Sequence, residues 1–371
     1  TMADFDPQTL DWQFAGQTFS QQANPDMIYA LRNQLDSLSV DFSNDYARDF
    51  VTEEKVNALY IQNNYTWDKG VIVAGVRYED TSTESQAFDQ DGNQVFAGSD
   101  HSFFAPSINI KYFLDDRLQL RGSIWKGLSR PGFKKTAPKL DYDNDEGDIS
   151  GSAGNPDLKP YEAVNYDLSL EFYGDDMTFA SVGLFRKNIE NAIYPKIYKT
   201  ATFLGVTFND DVETWENAQD STINGLELNL QYGWENGIYF AGNITLTDGK
   251  STFEPTDDVS FTTPFRKLAD EAFNISLGYD EGPWDVRLAA NYRSDYLDWL
   301  SDEGDDIDDV SENNSRFVDN YLQVDFTAKY KTSDNLEFKF EAVNLGNREE
   351  YYYWGNAVSY THLTLPTKPF V

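Results

Sequence analysis

Cysteine is absent from the 371-residue chain, and its two histidines are His101 and His362. That removes thiolate nucleophiles, thiolate metal sites and disulfides, and leaves imidazole chemistry almost nothing to work with. Carboxylates are abundant, 63 acidic residues against 29 basic ones, but no spacing singles out a general acid and base pair. The acidic run DEGDDIDDVSE (302–312) offers hard oxygens of the kind calcium takes. It lacks the glycine and glutamate positions of an EF-hand loop, however, and reads as solvated. No enzyme, cofactor or metal centre is expected. The residues suited to binding are flat rings and guanidinium groups. Trp215, Trp299, Tyr351, Tyr352, Tyr353 and Trp354 could stack on a sugar or another ligand, or simply pack loops and girdle a barrel. Arg130, Arg186 and Arg293 could donate to that ligand or pair with neighbouring acids. A small molecule is the expected ligand, because a net charge of −34 makes nucleic acid an improbable partner.

The elements that must carry these residues are strands. In VNYDLSLEFY (164–173) apolar and polar residues alternate at every step, and the same pattern recurs in 226–232, 238–247, 273–279, 284–293 and 322–330. About twelve such strands form an up-and-down antiparallel meander. Tight-turn signals sit between them at WDKG (67–70), LDDR (114–117), YGDD (173–176), WENG (234–237), DEGP (280–283) and TSDN (332–335). Between the turns lie long polar connections at 85–100, 139–160, 209–220, 247–258 and 300–316. A short helix is expected near the start, capped by Asn24 with Pro25 in its first turn.

An alternating strand fits a soluble sandwich with its apolar face inside, or a membrane barrel with that face in lipid. No run approaches the roughly 18 apolar residues of a spanning helix, whereas a barrel strand needs only about 9–11. Three features favour the barrel: aromatics where strands meet turns, short turns at one end with long loops at the other, and inward sets of mixed charge such as Asp285, Arg287 and Arg293. Phe172 is then expected to face lipid near the tight-turn end, with Asp167 and Glu171 in the lumen.

Five stretches bear a family resemblance. SRPGF (129–133), GNPDLKPYEAVNYDLSLEFY (154–173), ENAQDSTINGLELNLQY (216–232), FRKLADEAFNISLGY (265–279) and VNLGNREEYYYWG (343–355) together resemble the C-terminal barrel of a TonB-dependent receptor. Physically, Gly154, Pro156 and Pro160 stiffen a loop, and Gly225 relieves crowding where a strand leaves one. The resemblance implies an all-β antiparallel transmembrane barrel of roughly 22 strands around a plug, about twelve of them present here. It implies residence in the outer membrane, lipid around the barrel, a monomer when complete, and TonB pulling on the plug to import a nutrient of the carbohydrate or iron-siderophore class.

On this reading residues 1–52 are an external loop segment and 53–356 the partial barrel, with a first strand at about 53–67 and an upward strand at 336–354. The plug and the TonB-contacting segment are not found ahead of the strands, and TMADFDPQTL carries no secretion-signal pattern, so the stretch reads as a fragment. The tail, 357–371, is anomalous: Pro366 and Pro369 interrupt any closing strand, and it reads as non-native. A passive sugar porin and a soluble secreted β-sandwich binding protein are the alternatives.

Overall fold

A computed structural model describes residues 13–14, 17–18, 49–89, 92–175, 177–217, 220–256, 259–299 and 315–355. The expected helix at Asn24 and the tail 357–371 lie outside the described residues. The dominant element is a 13-stranded antiparallel sheet. Twelve of its strands pair in sequence order: β1 (Phe50–Trp67), β2 (Gly70–Phe88), β3 (Gln94–Phe113), β4 (Leu118–Ser129), β5 (Tyr161–Tyr173), β6 (Phe179–Glu190), β7 (Ser221–Gly233), β8 (Ile238–Thr256), β9 (Glu271–Glu281), β10 (Trp284–Arg293), β11 (Tyr321–Ser333) and β12 (Leu336–Ala342). The segment Val259–Pro264 pairs back onto β8. The sheet is open, with β1 and β12 at its edges. All six expected tight turns join consecutive strands at one end.

The two faces of this sheet have opposite chemistry. Tyr166, Leu168, Leu170 and Phe172 stand on one face of β5, and the register carries that face through Leu184 and Val182 on β6 to Leu226, Leu228, Ile244, Leu277 and Leu288. These side chains are bare: Leu168 is 51% exposed, Leu184 57% and Leu277 52%. The other face is polar and bonded to itself. Ser123 donates to Asp167 at 2.7 Å, and Gln119 and Arg121 both reach Glu171, at 2.6 and 2.9 Å. A soluble sandwich would cover the apolar face; here no layer of the described residues lies on it. So large a bare apolar surface demands an apolar solvent. Phe172 stands on that face beside the tight turn, with Asp167 and Glu171 opposite. Ring pairs Tyr65–Trp67, Tyr232–Trp234 and Trp284–Tyr330 gather at the same turn end, at centroid separations of 6.0, 4.7 and 4.5 Å, as an interfacial girdle does.

The long connections are more structured than their composition indicates. Most of 85–100 is strand: the β2–β3 ladder runs on to Phe88↔Gln94, so that β2 and β3 reach 19 and 20 residues. Above a membrane both faces of a strand meet water, so the apolar–polar alternation that marks a half-buried strand is lost. The segments within 139–160 and 209–220 pair as well. Leu140–Asp145, Asp148–Ala153, Val212–Asn217 and Ile193–Tyr198 make a four-stranded sheet, with one parallel contact at Val212↔Gly151 and Glu213↔Ser152. The expected strand at 336–354 is interrupted after Ala342, because Asn344 and Asn347 adopt φ of 55° and 45°. Their turn is held by Arg348 N–H donating to Asn344 Oδ1 at 2.9 Å, and Tyr352–Trp354 then joins Tyr296–Trp299 and Arg316–Val318 in a small sheet of its own. Two clusters of buried apolar side chains lie in this loop-end cap. One cluster is Leu140, Ala153, Phe208 and Val212, and another is Tyr194, Phe253, Leu297 and Phe317.

Candidate functional site

Two family-like motifs anchor the cap to the sheet. After β4, SRPGF leads into a single helical turn, Phe133–Thr136. The loop carrying GNPDLKP closes against it, with Asn155 N–H donating to Lys135 O at 2.8 Å and Gly154 N–H to Lys139 O at 2.9 Å. A Cβ on Gly154 would lie 1.9 Å from Ala137 O, so the approach of these two backbones requires glycine there. The helical turn thereby carries Lys135 to the face of Trp215, with Nζ 3.7 Å from the ring centroid.

A second cation–ring pair comes from the segment after Val259–Pro264. Gly249 lies on the polar face, and its missing side chain leaves room for Phe265 and Leu268: a Cβ there would sit 2.9 Å from Phe265 Cβ and 2.5 Å from Leu268 Cδ2. The segment therefore folds over the inner side of the sheet at its loop end. It places the Arg266 guanidinium over Trp299 at 5.0 Å and is pinned by Lys267 N–H donating to Leu297 O at 2.7 Å. Burial pushes the Lys135 ammonium below the usual lysine range, and the charges of Arg266 and Lys267 push it further the same way. Lys267 has Asp298 at 3.9 Å. Among the described residues, no carboxylate lies within ion-pair distance of Lys135 or Arg266. Three cations and two indoles thus converge at the mouth, in a chain of net charge −34, with two of those cations free of any carboxylate among the described residues. Such a patch attracts an anion and offers it flat apolar surfaces.

Of the candidates read from sequence, Trp215 and Trp299 are brought together here. Tyr353 instead belongs to the cap core. Its ring stacks on Phe317 at 5.4 Å with an interplanar angle of 8°. Its hydroxyl donates to Asp295 at 2.8 Å, and burial together with that bond drives its pKa well above the ordinary tyrosine value. Tyr351, Tyr352 and Trp354 are exposed, the first two beneath Arg348 and Arg316, each at 5.3 Å. Arg130 is engaged by Glu79 at 2.5 Å and Thr81 at 3.1 Å, with Glu54 at 3.7 Å; Arg293 is engaged by Glu350 at 2.5 Å and Asp319 O at 3.0 Å. Arg186 faces away. Its register partner is Tyr166, so it stands on the apolar outer face above Leu184, bonded to Asn188 Oδ1 at 2.9 Å, and cannot reach a ligand inside. Sequence reasoning missed Lys135, Arg266 and Lys267. The signal for them is that they fall in two of the chain's three dibasic steps, Lys134–Lys135 and Arg266–Lys267, the third being Arg186–Lys187 on β6. The acidic run 302–312 lies outside the described residues.

Comparison with known proteins places this architecture. Residues 3–345 match the TonB dependent receptor-like, β-barrel family. The "Probable TonB-dependent siderophore receptor PirA" of Acinetobacter baumannii is 26% identical over 254 residues, which are 62% of this chain and 29% of that protein. The "Ferric enterobactin receptor" of Pseudomonas aeruginosa is 25% identical over 240 residues, 57% of this chain and 32% of that protein. The chain thus spans about a third of the length of these relatives. Among solved structures, the siderophore receptor PiuA from Acinetobacter baumannii superposes with a TM-score of 0.60 at 15% identity, covering 82% of this chain and 40% of that one. The ferric enterobactin receptor PfeA from Pseudomonas aeruginosa gives 0.54 at 16% identity, covering 80% and 49%. At these identities the superpositions speak for the fold alone.

Proposed function

Since the chain belongs to the TonB dependent receptor-like β-barrel family, whose members are outer-membrane proteins, we propose that it forms the binding mouth and part of the wall of a receptor that imports a ferric siderophore. In this reading the ligand is captured at the loop end and passes inward through the lumen when TonB acts on the rest of the receptor. The cation–indole patch of Lys135, Arg266, Lys267, Trp215 and Trp299 carries the reading. Ferric chelates of catecholate type are anionic and present flat aromatic rings, so unneutralised ammonium and guanidinium groups beside indole faces complement them. The relatives' names point to the same class. Carbohydrate, equally open from the sequence, would not call for unpaired cations.

The test is equilibrium binding of radio-iron-labelled ferric enterobactin to cells displaying the full-length receptor. The double variant Lys135→Gln, Arg266→Gln should weaken binding about tenfold or more, since each lost charge-assisted contact is worth about 1.5–3 kcal/mol. Unchanged affinity in that variant, at equal surface amount, overturns the assignment of the patch. Uptake that persists without TonB would overturn active import.

A further inference from the structure

The outer, apolar face of the sheet is grooved at the turn end. The register Phe172↔Ala180↔Leu230 puts Phe172 of β5 and the outer side chains of β7 on one face, two strand spacings or roughly 10 Å apart. Tyr232 follows Leu230 on that face, and Trp234 meets it edge-on at 4.7 Å. What lies between these rings is small. Gly174 N–H donates to Thr178 O at 2.8 Å across the β5–β6 connection, so closely that a Cβ on Gly174 would stand 2.7 Å from Thr178 Cβ. Together with Gly233 these two residues leave a groove of about 640 Å³, walled by Phe172, Tyr232 and Trp234. Phe172 and Tyr232 belong to the face turned away from the lumen, so the groove continues into the bare apolar surface of the wall.

The rim of the groove is charged. Arg117, in the β3–β4 turn, donates from Nη2 to both oxygens of Asp175, at 2.8 and 2.7 Å. Its Nε and Nη1 have no partner among the described residues. Glu235, next in sequence to Trp234, also lines the groove, and no cation of the described residues lies within ion-pair distance of it. A phosphate suits the spare N–H groups of Arg117, and an ammonium suits a carboxylate beside an indole. The balance of charge then discriminates between headgroups. Arg117 is set among Asp175, Glu235 and, in its own turn, Asp115, whose Oδ1 accepts the Arg117 and Leu118 N–H groups, both at 2.8 Å. A headgroup whose only charge is its phosphate meets more carboxylates than cations. One that also carries an ammonium is neutral as a whole and escapes that repulsion.

We propose that this groove is a binding site for one zwitterionic phospholipid of the turn-end leaflet. Arg117 takes the phosphate, Glu235 and the Trp234 ring take the ammonium, and the acyl chains run from the groove along the outer face past Phe172. The site needs the wall to stand in a bilayer and is independent of what the receptor imports. It also differs from the general aromatic girdle. Trp284 lies at the same end and is as exposed as Trp234, 47% each, but it follows directly on the tight turn after Glu281 and lines no part of the groove.

Native mass spectrometry of the detergent-solubilised full-length receptor tests this, with phosphatidylethanolamine and phosphatidylglycerol added in equal amounts. The unmodified receptor should carry a single phosphatidylethanolamine in preference to phosphatidylglycerol by about fivefold or more. Arg117→Gln with Trp234→Ala should lower that adduct about fivefold or more, whereas Trp284→Ala should stay within about twofold of the unmodified receptor. Glu235→Gln, which keeps the shape of the rim and removes a carboxylate, should bring the two lipids to within about twofold of each other. An undiminished adduct in the double variant, or an equal loss in Trp284→Ala, overturns the site. Phosphatidylglycerol retained as strongly as phosphatidylethanolamine overturns the headgroup assignment. If the double variant fails to fold, as heat-modifiable migration would show, Glu235→Gln decides: an unchanged lipid preference there overturns the proposal.

Discussion

Phe208 and Leu184 are both large apolar residues on β-strands, yet Phe208 is fully buried and Leu184 is 57% exposed. The difference marks two kinds of folding in one chain. In the loop-end cap, short strands from separate connections close over Phe208, Val212 and Leu297 as any water-soluble core does. In the wall, twelve long strands satisfy one another's backbones, turn their apolar side chains outward, and make side-chain bonds on the opposite face. The cap is held by excluding water. The wall is held by its ladder and by the solvent it sits in. Cap and wall should therefore answer the same substitution differently.

The largest effect belongs to the cap. Leu297→Ala removes a fully buried side chain from the cluster with Tyr194, Phe253 and Phe317. It should cost about 2–5 kcal/mol, because a cavity adds to the lost transfer energy. Limited proteolysis of the full-length receptor should then cut the cap while the wall stays resistant. The same truncation at Leu228, 39% exposed on the outer face, opens no cavity, since lipid closes around it, and should cost about 1.5–3 kcal/mol at most. Equal losses at the two sites, measured by denaturant titration in bilayers, would erase the distinction.

Charge inverts the order. Leu228→Arg puts a guanidinium into hydrocarbon at a cost of about 2–4 kcal/mol near the midplane. Asn229→Arg, one residue along and on the polar face, should fall within about 0.5 kcal/mol of wild type. Refolding into vesicles measures both, and a neutral Leu228→Arg would mean that the outer face is not in lipid.

How much of this could be read from sequence follows from where alternation survives. Along 164–173 and 226–232 one face meets lipid and the other the lumen, so the strands, their faces and even the side taken by Phe172 are written in the residue order. At 85–100 and 139–160 both faces meet water or a neighbouring loop; strands form there through pairings that no local period announces. The binding candidates divide in the same way. Trp215 and Trp299 were recognisable as ring platforms, but their partners Lys135 and Arg266 come from other loops. Only the close approach at Gly154 and the inward fold over Gly249 bring them to the rings. Arg186 shows the converse: its type suits a ligand, and its register alone sends it to the outer face.

A smaller difference lies in alkaline pH. Burial pushes the Tyr194 hydroxyl up to about 12, and this side chain, 4% exposed, belongs to the cap core. A folded-state pKa above the unfolded value means stability that is complete below about pH 10 and is lost as pH rises toward 12. Two pKa units are worth about 2–3 kcal/mol at most. Cap proteolysis should therefore accelerate between those pH values, and Tyr194→Phe should remove the part of that dependence due to Tyr194. A pH profile identical in Tyr194→Phe would show that the hydroxyl is not held neutral by the fold.

The smallest effect tests how forgiving the wall is. Gly225 on β7 lies beneath Phe185 on β6, its register partner on the polar face, and a Cβ there would stand 2.2 Å from Phe185 Cζ. In a closed core such an overlap costs about 1–3 kcal/mol. Here the clashing atom is the tip of a ring that borders the lumen, so Gly225→Ala should cost about 1 kcal/mol, the lower end of that range, as the ring swings inward. The ring being the obstacle, Phe185→Ala should cancel most of that loss, and the double-mutant coupling should be about 0.5–1 kcal/mol. A loss of several kcal/mol in Gly225→Ala, not rescued by Phe185→Ala, would mean that the polar face at this height is packed as tightly as the cap.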